Sequence, residues 1–330
     1  MNVAVTGVGG GVGQSIIKTL QNTEYSSVGI DGEVLGTGLY ATKKSYVGLY
    51  ANQPKYIETL IQICKKEDCD AIFPGLDVEL TPFSNNVDNF KANNITPIVS
   101  SPSVISICTD KLYTVDFLRK NNFPYPKTYR LADYSFQLGF PVQLKPQKGG
   151  HRSIGGLVAT NQREFAEFTR NVDVNNYVVQ EYIEGEEYTC GSVSFENGCV
   201  GVILMKRELR NGDTYKAFVV KNETLSTFVK TVINALKPFG ACNVQLRVKE
   251  GVPYIFEFNA RCSGTTASRA LAGFNEPKMI CDYLFKGIKE PEFRINEIVI
   301  LRYWKEIAVS YDKIKQLASN GFLFSEGIDL

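Results

Sequence analysis

The chain opens with an apolar strand that runs into a glycine turn and continues as an amphipathic helix, VAVTGVGGGVGQSIIKTL (residues 3–20). Gly7, Gly10 and Gly13 have the spacing that lets a backbone turn tightly and approach a pyrophosphate at a helix N-terminus. A second strand ends at Asp31, where a dinucleotide-binding fold carries the acid that binds a ribose. The same spacing also suits a βα turn whose glycines serve only packing, so both interpretations remain open.

Strand and helix patterns alternate from residue 1 to about residue 108. The apolar runs NVAVTG, SVGID, DAIFPG and TPIVSS are separated by helical stretches, including one helix predicted across ELTPFSNNVDNFKANN (79–94). Short β-rich runs joined by helices predict a parallel sheet with right-handed crossovers. Asp110 is the predicted N-cap of the next helix, after which the pattern changes to helices mixed with antiparallel hairpins. The sequence therefore predicts an α/β unit followed by an α+β unit.

Composition excludes several classes of partner. The chain has 36 Lys and Arg residues against 35 Asp and Glu residues, so no overall field favours a nucleic acid or a membrane surface. No apolar run approaches the ~18 residues of a membrane span and no basic-apolar leader is seen, which predicts a cytoplasmic protein. The eight cysteines are scattered without a C-x-x-C pair, and His151 is the one histidine. We therefore expect reduced thiols rather than a zinc cluster.

The strand PYIFEFN carries polar groups where an aromatic strand does not need them. Strict alternation would place Tyr254, Phe256 and Phe258 on one face and Glu257 and Asn259 on the other. An acid and an amide two residues apart on one face can supply oxygen ligands. The same pair also suits a polar face in contact with solvent, because such faces are common on strands.

The preceding strand, NVQLRVK, adds Gln245 if the hairpin register allows it. A two-residue loop at Glu250–Gly251 would turn Gln245 away from Glu257, whereas a three-residue loop at 249–251 would place both on one face. We predict the three-residue loop. Gln245, Glu257 and Asn259 then form a set of hard oxygen ligands of the kind that Mg²⁺ uses when phosphates also hold it.

Two further segments suggest a bound phosphate compound. In LKPQKGGHRSIGG (144–156), Lys145 ends a strand and a glycine-rich loop follows, with the cations Lys148, His151 and Arg152. Backbone N–H groups of such a loop can close over phosphate oxygens, although a surface loop with incidental charge has the same composition. In VVQEYIEGEEYT (178–189), the backbone at a strand end could bind an adenine edge, and the Glu187 side chain could bind a ribose. Taken alone, this segment is no more than an acidic strand end.

Together and in this order, these segments resemble the ATP-grasp superfamily. The likeness is to the branch that includes one synthetase half of the carbamoyl phosphate synthase large subunit. It extends over nearly the whole chain, and NVQLRV…FEFNARCSG is its most specific part. The resemblance implies a Rossmann-like pre-ATP-grasp domain at 1–108, a connector and lid subdomain at 109–182, and a C-terminal antiparallel-sheet subdomain with the Mg/ATP site at 183–330.

The resemblance also implies roles for individual residues. Those implied to contact ATP are Lys111 and Lys145 at the phosphates, Lys148, Gly149, Gly150 and Ser153 in the loop above them, Glu181, Tyr182 and Ile183 at the adenine, and Glu187 at the ribose. The implied ligands of Mg²⁺ or Mn²⁺ are Gln245, Glu257 and Asn259. The implied catalytic residues are Arg261, which would stabilise the transferred phosphoryl group, and Lys206 and Arg207, which would line the phosphate and acceptor site. His151 is expected to contact phosphate or face solvent rather than act as a base.

The activity implied is an ATP-dependent ligation of a small-molecule carboxylate and an amine, by a chain that could form a homodimer. A kinase of the same fold, or a non-catalytic nucleotide-binding subunit, remains an alternative. A nicotinamide-dependent oxidoreductase or epimerase would need a Tyr-x-x-x-Lys pair well inside the first domain. The chain has Tyr40 with Lys44 and Tyr311 with Lys315, one too early and the other outside that domain.

Overall fold

A computed structural model describes residues 1–149 and 155–330. Its first part contains strands β1 (Asn2–Thr6), β2 (Ser26–Asp31), β3 (Lys44–Val47), β4 (Cys69–Phe73) and β5 (Thr96–Pro97), with helices α1 (Gly11–Leu20), α2 (Tyr56–Lys66), α3 (Asp77–Asn85) and α4 (Val87–Ala92). Strands β3, β2, β1, β4 and β5 lie side by side in that order and run parallel. The predicted parallel sheet is therefore confirmed.

One helix predicted from the sequence is divided in the structure. The stretch expected to form a single helix over 79–94 forms α3 and α4, which meet at Asn86. Asn86 has φ −121° and ψ 19°, outside the helical region, and its side-chain nitrogen donates to the Pro82 carbonyl at 2.9 Å. This local hydrogen bond competes with helix continuation.

A helical connector and a small sheet follow. The helices are α5 (Pro102–Thr109) and α6 (Lys111–Lys120), and the Asp110 side chain caps α6 by accepting from the Leu112 N–H at 2.9 Å, as predicted. The small sheet contains β6 (Thr128–Arg130), β7 (Val142–Pro146), β8 (Leu157–Ala159) and β9 (Tyr177–Glu181), in the order β6-β9-β7-β8, with α7 (Gln162–Thr169). It has its own apolar core around Leu144, Phe165 and Val179.

The largest antiparallel sheet carries most of the site. Its strands are β10 (Glu186–Phe195), β11 (Gly198–Arg210), β12 (Asp213–Val220), β13 (Gly240–Lys249), β14 (Val252–Asn259) and β15 (Val299–Leu301), in the order β14-β13-β10-β11-β12-β15. Helices α8 (Glu223–Leu236), α9 (Thr266–Leu271) and α10 (Glu276–Lys286) accompany them. Within the described ranges, no helix combines the length and the apolar character that crossing a membrane requires.

The end of the chain returns to the first sheet. Helix α11 (Tyr311–Asn320) leads into β16 (Phe322–Phe324), which pairs antiparallel with the edge strand β3. Phe322 and Phe324 pack against Tyr46, and their ring centroids lie 6.1 and 6.3 Å from the centroid of the Tyr46 ring. The sequence analysis assigned residues 183–330 to a third domain. In the structure the last strand of that range, β16, completes the sheet of the first domain instead.

The β13–β14 hairpin differs from the prediction in its loop. Lys249 pairs with Val252, so the loop has two residues, Glu250 and Gly251, with φ of 51° and 79° as a type I′ turn requires. The three-residue loop predicted from the sequence is therefore wrong. A β-bulge at Phe256 then shifts the register of the two strands by one residue. Leu246 pairs with Ile255, whereas Gln245 pairs with Glu257, so Phe256 is the extra residue.

Candidate active site

Two cavities meet at the paired strands β13 and β14. The first, about 330 Å³, lies under the small sheet, and its walls include Lys111, Lys145, Ile183 and Phe256. The second, about 500 Å³, lies between the same strands and the first domain, and its walls include Gly10, Gly11, Asp77, Asn259, Arg261, Gly264 and Arg302. Arg207, Gln245 and Glu257 line both. These three side chains therefore mark the junction of the two cavities.

The bulge puts Phe256 where alternation did not predict it. Phe256 lines the first cavity beside Glu257, and the Lys145 ammonium lies 5.5 Å from its ring centroid. Phe258, which was expected to share a face with Phe256, is fully buried in the core. Two consecutive side chains can face the cavity because the bulge interrupts the period of two.

The oxygen-bearing side chains predicted as a metal set are brought together. Asn259 Nδ2 donates to Glu257 Oε1 at 2.9 Å, and Gln245 Nε2 donates to Asn259 Oδ1 at 3.3 Å. Carboxylate and amide oxygens fit Mg²⁺, which binds through one or two carboxylates and completes its shell with water and phosphate oxygens. In the described residues no group of three or more His, Cys, Asp or Glu side chains could hold a metal by itself. The donor set therefore suits a metal that arrives with a phosphate compound.

A buried hydrogen-bonded chain supports this set from behind. Asn243 Nδ2 donates to Asn259 Oδ1 at 3.0 Å, and Arg269 donates to Asn243 Oδ1. Arg269 Nη1 lies 2.7 Å from Glu276 Oε1, and both of these side chains are 0% exposed. Sequence reasoning did not find this chain of contacts, because its polar members lie on a strand and two helices that are separate in sequence.

Two lysines face the first cavity from the connector and from β7. Lys145 Nζ donates to Gln180 Oε1 at 2.8 Å, and Lys111 Nζ donates to the Gly149 carbonyl at 2.8 Å. Burial, with Lys111 nearby, lowers the pKa of Lys145 to about 7. Burial also lowers the pKa of Lys111, against the opposing effect of Glu257 and Asp110. Two buried ammonium groups in one cavity favour a polyanionic ligand.

Glu187 is held by two arginines. Arg207 Nη2 lies 2.6 Å from Glu187 Oε1, and Arg247 Nη2 lies 2.7 Å from Glu187 Oε2. Arg207 Nη2 also donates to Gln245 Oε1 at 2.8 Å. Burial disfavours the charged carboxylate, but the arginines outweigh it, so the pKa of Glu187 lies below its usual value. The ribose contact implied for Glu187 stays a prediction, and in this structure its oxygens orient Arg207 and Arg247.

The strand end after β9 forms the far wall of the first cavity. Glu181, Tyr182 and Ile183 all line it, as the adenine-binding role would require. The Glu181 side chain accepts from the Lys127 N–H at 3.0 Å, and the Ile183 carbonyl accepts from Arg247 Nη1 at 3.0 Å. The Arg247 guanidinium also lies 4.6 Å from the Tyr182 ring centroid. Adenine binding at this wall stays a prediction.

Arg261 faces the second cavity and has a partner that the sequence did not reveal. Its Nε and Nη2 atoms donate to Asp77 Oδ1 and Oδ2, both at 2.8 Å, in a bidentate ion pair. Asp77 begins α3 in the first domain, 184 positions away in sequence. The pair fixes Arg261 at the junction between the first domain and the antiparallel sheet.

Other predicted residues lie differently. Lys206 precedes Arg207 on β11 and points to the opposite side, where it pairs with the exposed Glu186; neither cavity includes it. The structure thus does not support its predicted catalytic role, because successive residues of a strand face opposite sides. Lys148 is 72% exposed and lies 3.9 Å from Asp110 Oδ2. Gly150, His151, Arg152 and Ser153 lie outside the described residues.

Protein atoms pack closely against two glycines of the turn that opens the chain. A Cβ on Gly7 would lie 2.6 Å from the Leu76 side chain, and one on Gly13 would lie 2.4 Å from the Gly7 carbonyl oxygen. Asp31 accepts from the Gly9 N–H at 2.7 Å, so its carboxylate holds the turn. These contacts favour the packing interpretation of the glycines over a dinucleotide site.

Comparisons with known proteins agree with this geometry. Residues 4–98 match the family described as PylC-like, N-terminal domain, and residues 173–306 match the family described as ATP-grasp in the biosynthetic pathway with Ter operon. The chain contains an ATP-grasp domain. Its opening domain is similar to the N-terminal domain of PylC-like proteins.

Curated relatives of this ATP-grasp chain are distant. It is 25% identical over 205 residues to the carbamoyl phosphate synthase large chain of Thermoanaerobacter pseudethanolicus, a match covering 55% of this chain and 19% of that protein. It is 27% identical over 186 residues to D-alanine–D-alanine ligase A of Bacillus cereus, covering 49% of this chain and 60% of the ligase. The chain thus spans about a fifth of the first relative and three fifths of the second.

Solved structures share the ATP-grasp fold over most of the chain. An ADP complex of the N5-carboxyaminoimidazole ribonucleotide synthetase purK aligns with a TM-score of 0.74 and 14% identity, covering 97% of this chain and 84% of that one. Biotin carboxylase from Campylobacter jejuni aligns with a TM-score of 0.68 and 17% identity, covering 89% and 73%. At this identity the likeness shows the fold, and the function must be argued from the site.

Proposed function

We propose that this chain is an ATP-dependent ligase that activates a small-molecule carboxylate as an acyl phosphate and couples it to an amine. The observation that carries the proposal is the position of Glu257 and Gln245, which line both cavities at their junction. A nucleotide in the first cavity would place its terminal phosphate at these oxygens, and a second substrate in the other cavity would meet it there.

The assignment of ATP with Mg²⁺ is supported by the lysines, by the oxygen donors and by the related structures. The purK structure is an ADP complex, and the biotin carboxylase domain of the Hydrogenobacter thermophilus 2-oxoglutarate carboxylase was solved with MgADP and bicarbonate. When bound, Mg²⁺ would neutralise charge on the transferred phosphoryl group and orient it. Gln245, Glu257 and Asn259 would hold it.

The chain's own residues would act mainly by positioning and charge. Lys111 and Lys145, both desolvated by burial, would bind phosphate oxygens in the first cavity. Arg261, fixed by Asp77, faces the second cavity and would stabilise negative charge on the phosphoryl group in transfer. Arg207, fixed by Glu187, lies at the junction and would orient the carboxylate.

The proposed reaction balances without a side-chain nucleophile. A carboxylate oxygen attacks the γ-phosphorus, the bond to the β-phosphate oxygen breaks, and ADP leaves. The amine nitrogen then attacks the acyl carbon, phosphate leaves, and the nitrogen gives up a proton. Positioning of the two substrates at one junction supplies the rate enhancement.

The test is ADP release by the full chain with Mg²⁺ and ATP, screened across carboxylate and amine libraries. We expect release that needs both a carboxylate and an amine. Glu257→Gln should lower it at least about 100-fold, since loss of groups that only support a metal ligand already costs 10–100-fold. Glu250→Gln makes the same change on the exposed loop of the same hairpin and should leave the rate unchanged. An unchanged rate in Glu257→Gln would contradict the metal assignment, and dependence on one substrate alone would favour the kinase alternative.

A further inference from the structure

A third cavity lies in the first domain, apart from the metal set. It has a volume of about 510 Å³ and opens at the carboxyl ends of β1 and β2, with walls from Thr6, Asp31, Tyr50, Leu76, Val78 and Glu79. Strand β1 has β2 on one side and β4 on the other, so the strand order reverses beside it. In open parallel sheets, ligands bind in the crevice at this point.

The charge in the third cavity is of one sign. Asp31 and Glu79 line it, and no lysine, arginine or histidine does so among the residues that the structure describes. Asp31 is oriented by the N–H groups of Gly9 and Glu33, at 2.7 and 2.9 Å. These partners are backbone amides, which bring no positive charge to the wall. The cavity therefore favours a cation and disfavours a carboxylate or a phosphate.

Glu79 lies deeper and is fixed by its surroundings. It is 4% exposed and accepts from Thr6 Oγ1 at 2.7 Å and from the Tyr56 hydroxyl at 2.6 Å, besides the N–H groups of Gly75 and Leu76. These contacts satisfy the carboxyl group without a cation. Glu79 thus gives the cavity a rigid polar floor, and Asp31 supplies the charge closer to its opening.

Another part of the wall is apolar and partly exposed. Tyr50, Leu76 and Val78 are 55%, 40% and 63% exposed, although each lines the cavity. A single exposed apolar residue carries no information, but three around one concave surface indicate contact with an apolar part of a ligand. A ligand that fits both walls combines a positive charge with an aliphatic or aromatic portion.

The third cavity shares a wall with the second. Leu76 and Val78 line both, and Asp77 between them holds Arg261 at the second cavity. A molecule bound against Asp31 can therefore extend along this loop toward the junction where the proposed chemistry occurs. The two cavities together are large enough for one end of a substrate to be recognised while its other end reacts.

We propose that the third cavity binds the ammonium-bearing, partly apolar end of one of the two substrates, with Asp31 as counter-ion and Tyr50, Leu76 and Val78 against its carbon chain. The substrate class is a small organic amine or amino acid that has a protonated amine remote from its reacting group. The inference rests on the proposed function where it calls this compound a substrate; the recognition of an ammonium ion does not depend on it.

The experiment uses three five-carbon probes that differ in charge: pentylammonium, pentan-1-ol and pentanoate. Their binding to the full chain, without nucleotide, is followed by ligand-observed NMR titration. We expect pentylammonium to saturate, pentan-1-ol to bind at least about tenfold more weakly, which corresponds to 1.4 kcal/mol, and pentanoate not to bind. Equal binding of the three probes, or no binding of pentylammonium, would overturn the inference.

Two variants locate the site. Asp31→Asn should weaken pentylammonium at least about tenfold. Because this change touches the glycine turn and could disturb folding, Val78→Lys provides a second test at an exposed position, with Val78→Gln as its neutral control. Val78→Lys should abolish pentylammonium binding and Val78→Gln should preserve it. Equal binding by the two Val78 variants would contradict the assignment to this cavity.

The same samples are titrated with MgADP, followed by thermal stability, so that the two proposals fail separately. Nucleotide binding without pentylammonium binding would overturn the inference and leave the proposed ligase intact. Pentylammonium binding without nucleotide binding would leave the cation site standing and contradict the proposed function.

Discussion

Arg269 and Glu276 form an ion pair in which neither side chain is exposed, and Arg269 also donates to Asn243, which holds Asn259 at 3.0 Å. A charge pair in the core thus fixes the amide that lies between Glu257 and Gln245. Separating two buried charges is costly, whereas a matched pair with further hydrogen bonds is tolerated. The network gives the metal set a rigid support.

The buried pair predicts a non-additive effect on stability. Arg269→Met should lower the free energy of unfolding by about 3–5 kcal/mol, because Glu276 is left charged and unpaired in the core. The double variant Arg269→Met with Glu276→Gln should recover part of this loss. Urea unfolding of the wild type, both single variants and the double variant measures the coupling. Simple addition of the two single effects would show that the pair does not act as a unit.

Gly191 predicts a steric cost at the same network. A Cβ at Gly191 would lie 2.6 Å from Glu276 Oε1 and 2.7 Å from Arg269 Cδ. Gly191→Ala should therefore destabilise the chain by about 1–3 kcal/mol, as overpacking does. Gly139→Ala is a matched control, because a Cβ there has no atom within 4 Å. Equal unfolding midpoints for the two variants would show that the pair can move to accommodate the methyl group.

Lys145 predicts a conflict between stability and binding. Burial lowers its pKa to about 7, so the folded state disfavours the charge that the unfolded chain carries up to about pH 10. The resulting loss of folding free energy is complete below pH 7 and decreases as the pH rises from 7 toward 10. Lys145→Met removes it, so at pH 7 the free variant should melt at least about 2 °C higher than the wild type. The variant should also lose MgADP binding in calorimetry. A lower melting temperature would contradict the burial argument.

The same lysine predicts the pH dependence of nucleotide binding. Phosphate oxygens beside Lys145 would raise its pKa, so binding above pH 7 takes up a proton and affinity falls as the pH rises. Titration with MgADP at pH 8.5 should therefore give a binding enthalpy that differs between phosphate and Tris buffers. At pH 6 the contribution of Lys145 to this buffer dependence should vanish. Lys145→Arg keeps its charge at both pH values and is the control. An identical buffer effect in this variant would assign the proton to another group.

Local sequence patterns were sufficient for the parallel sheet, for one helix cap and for the oxygen cluster. Alternating strands and helices predicted the parallel sheet, Asp110 predicted the cap of α6, and the acid and amide of FEFN predicted an oxygen cluster with Gln245. These features depend on residues close in sequence, where backbone preference and side-chain periodicity operate directly.

The loop of the β13–β14 hairpin is a feature that local patterns did not predict correctly. Gln245 does lie opposite Glu257, but through a two-residue loop and a bulge at Phe256 rather than through the loop that the sequence favoured. A bulge has no reliable signature in a single sequence, since it is decided by how both strands pack against their surroundings.

The sequence by itself determined the order of the main elements, the carboxylate and amide side chains on β14 and the likeness to the ATP-grasp superfamily. Only the tertiary structure decided that Arg261 pairs with Asp77, that Arg269 supports Asn259 through Asn243, and that β16 returns to the first sheet. The reason is physical: each of these contacts joins groups whose separation along the chain is unrelated to their distance in space. Burial and charge pairing in the complete fold select them.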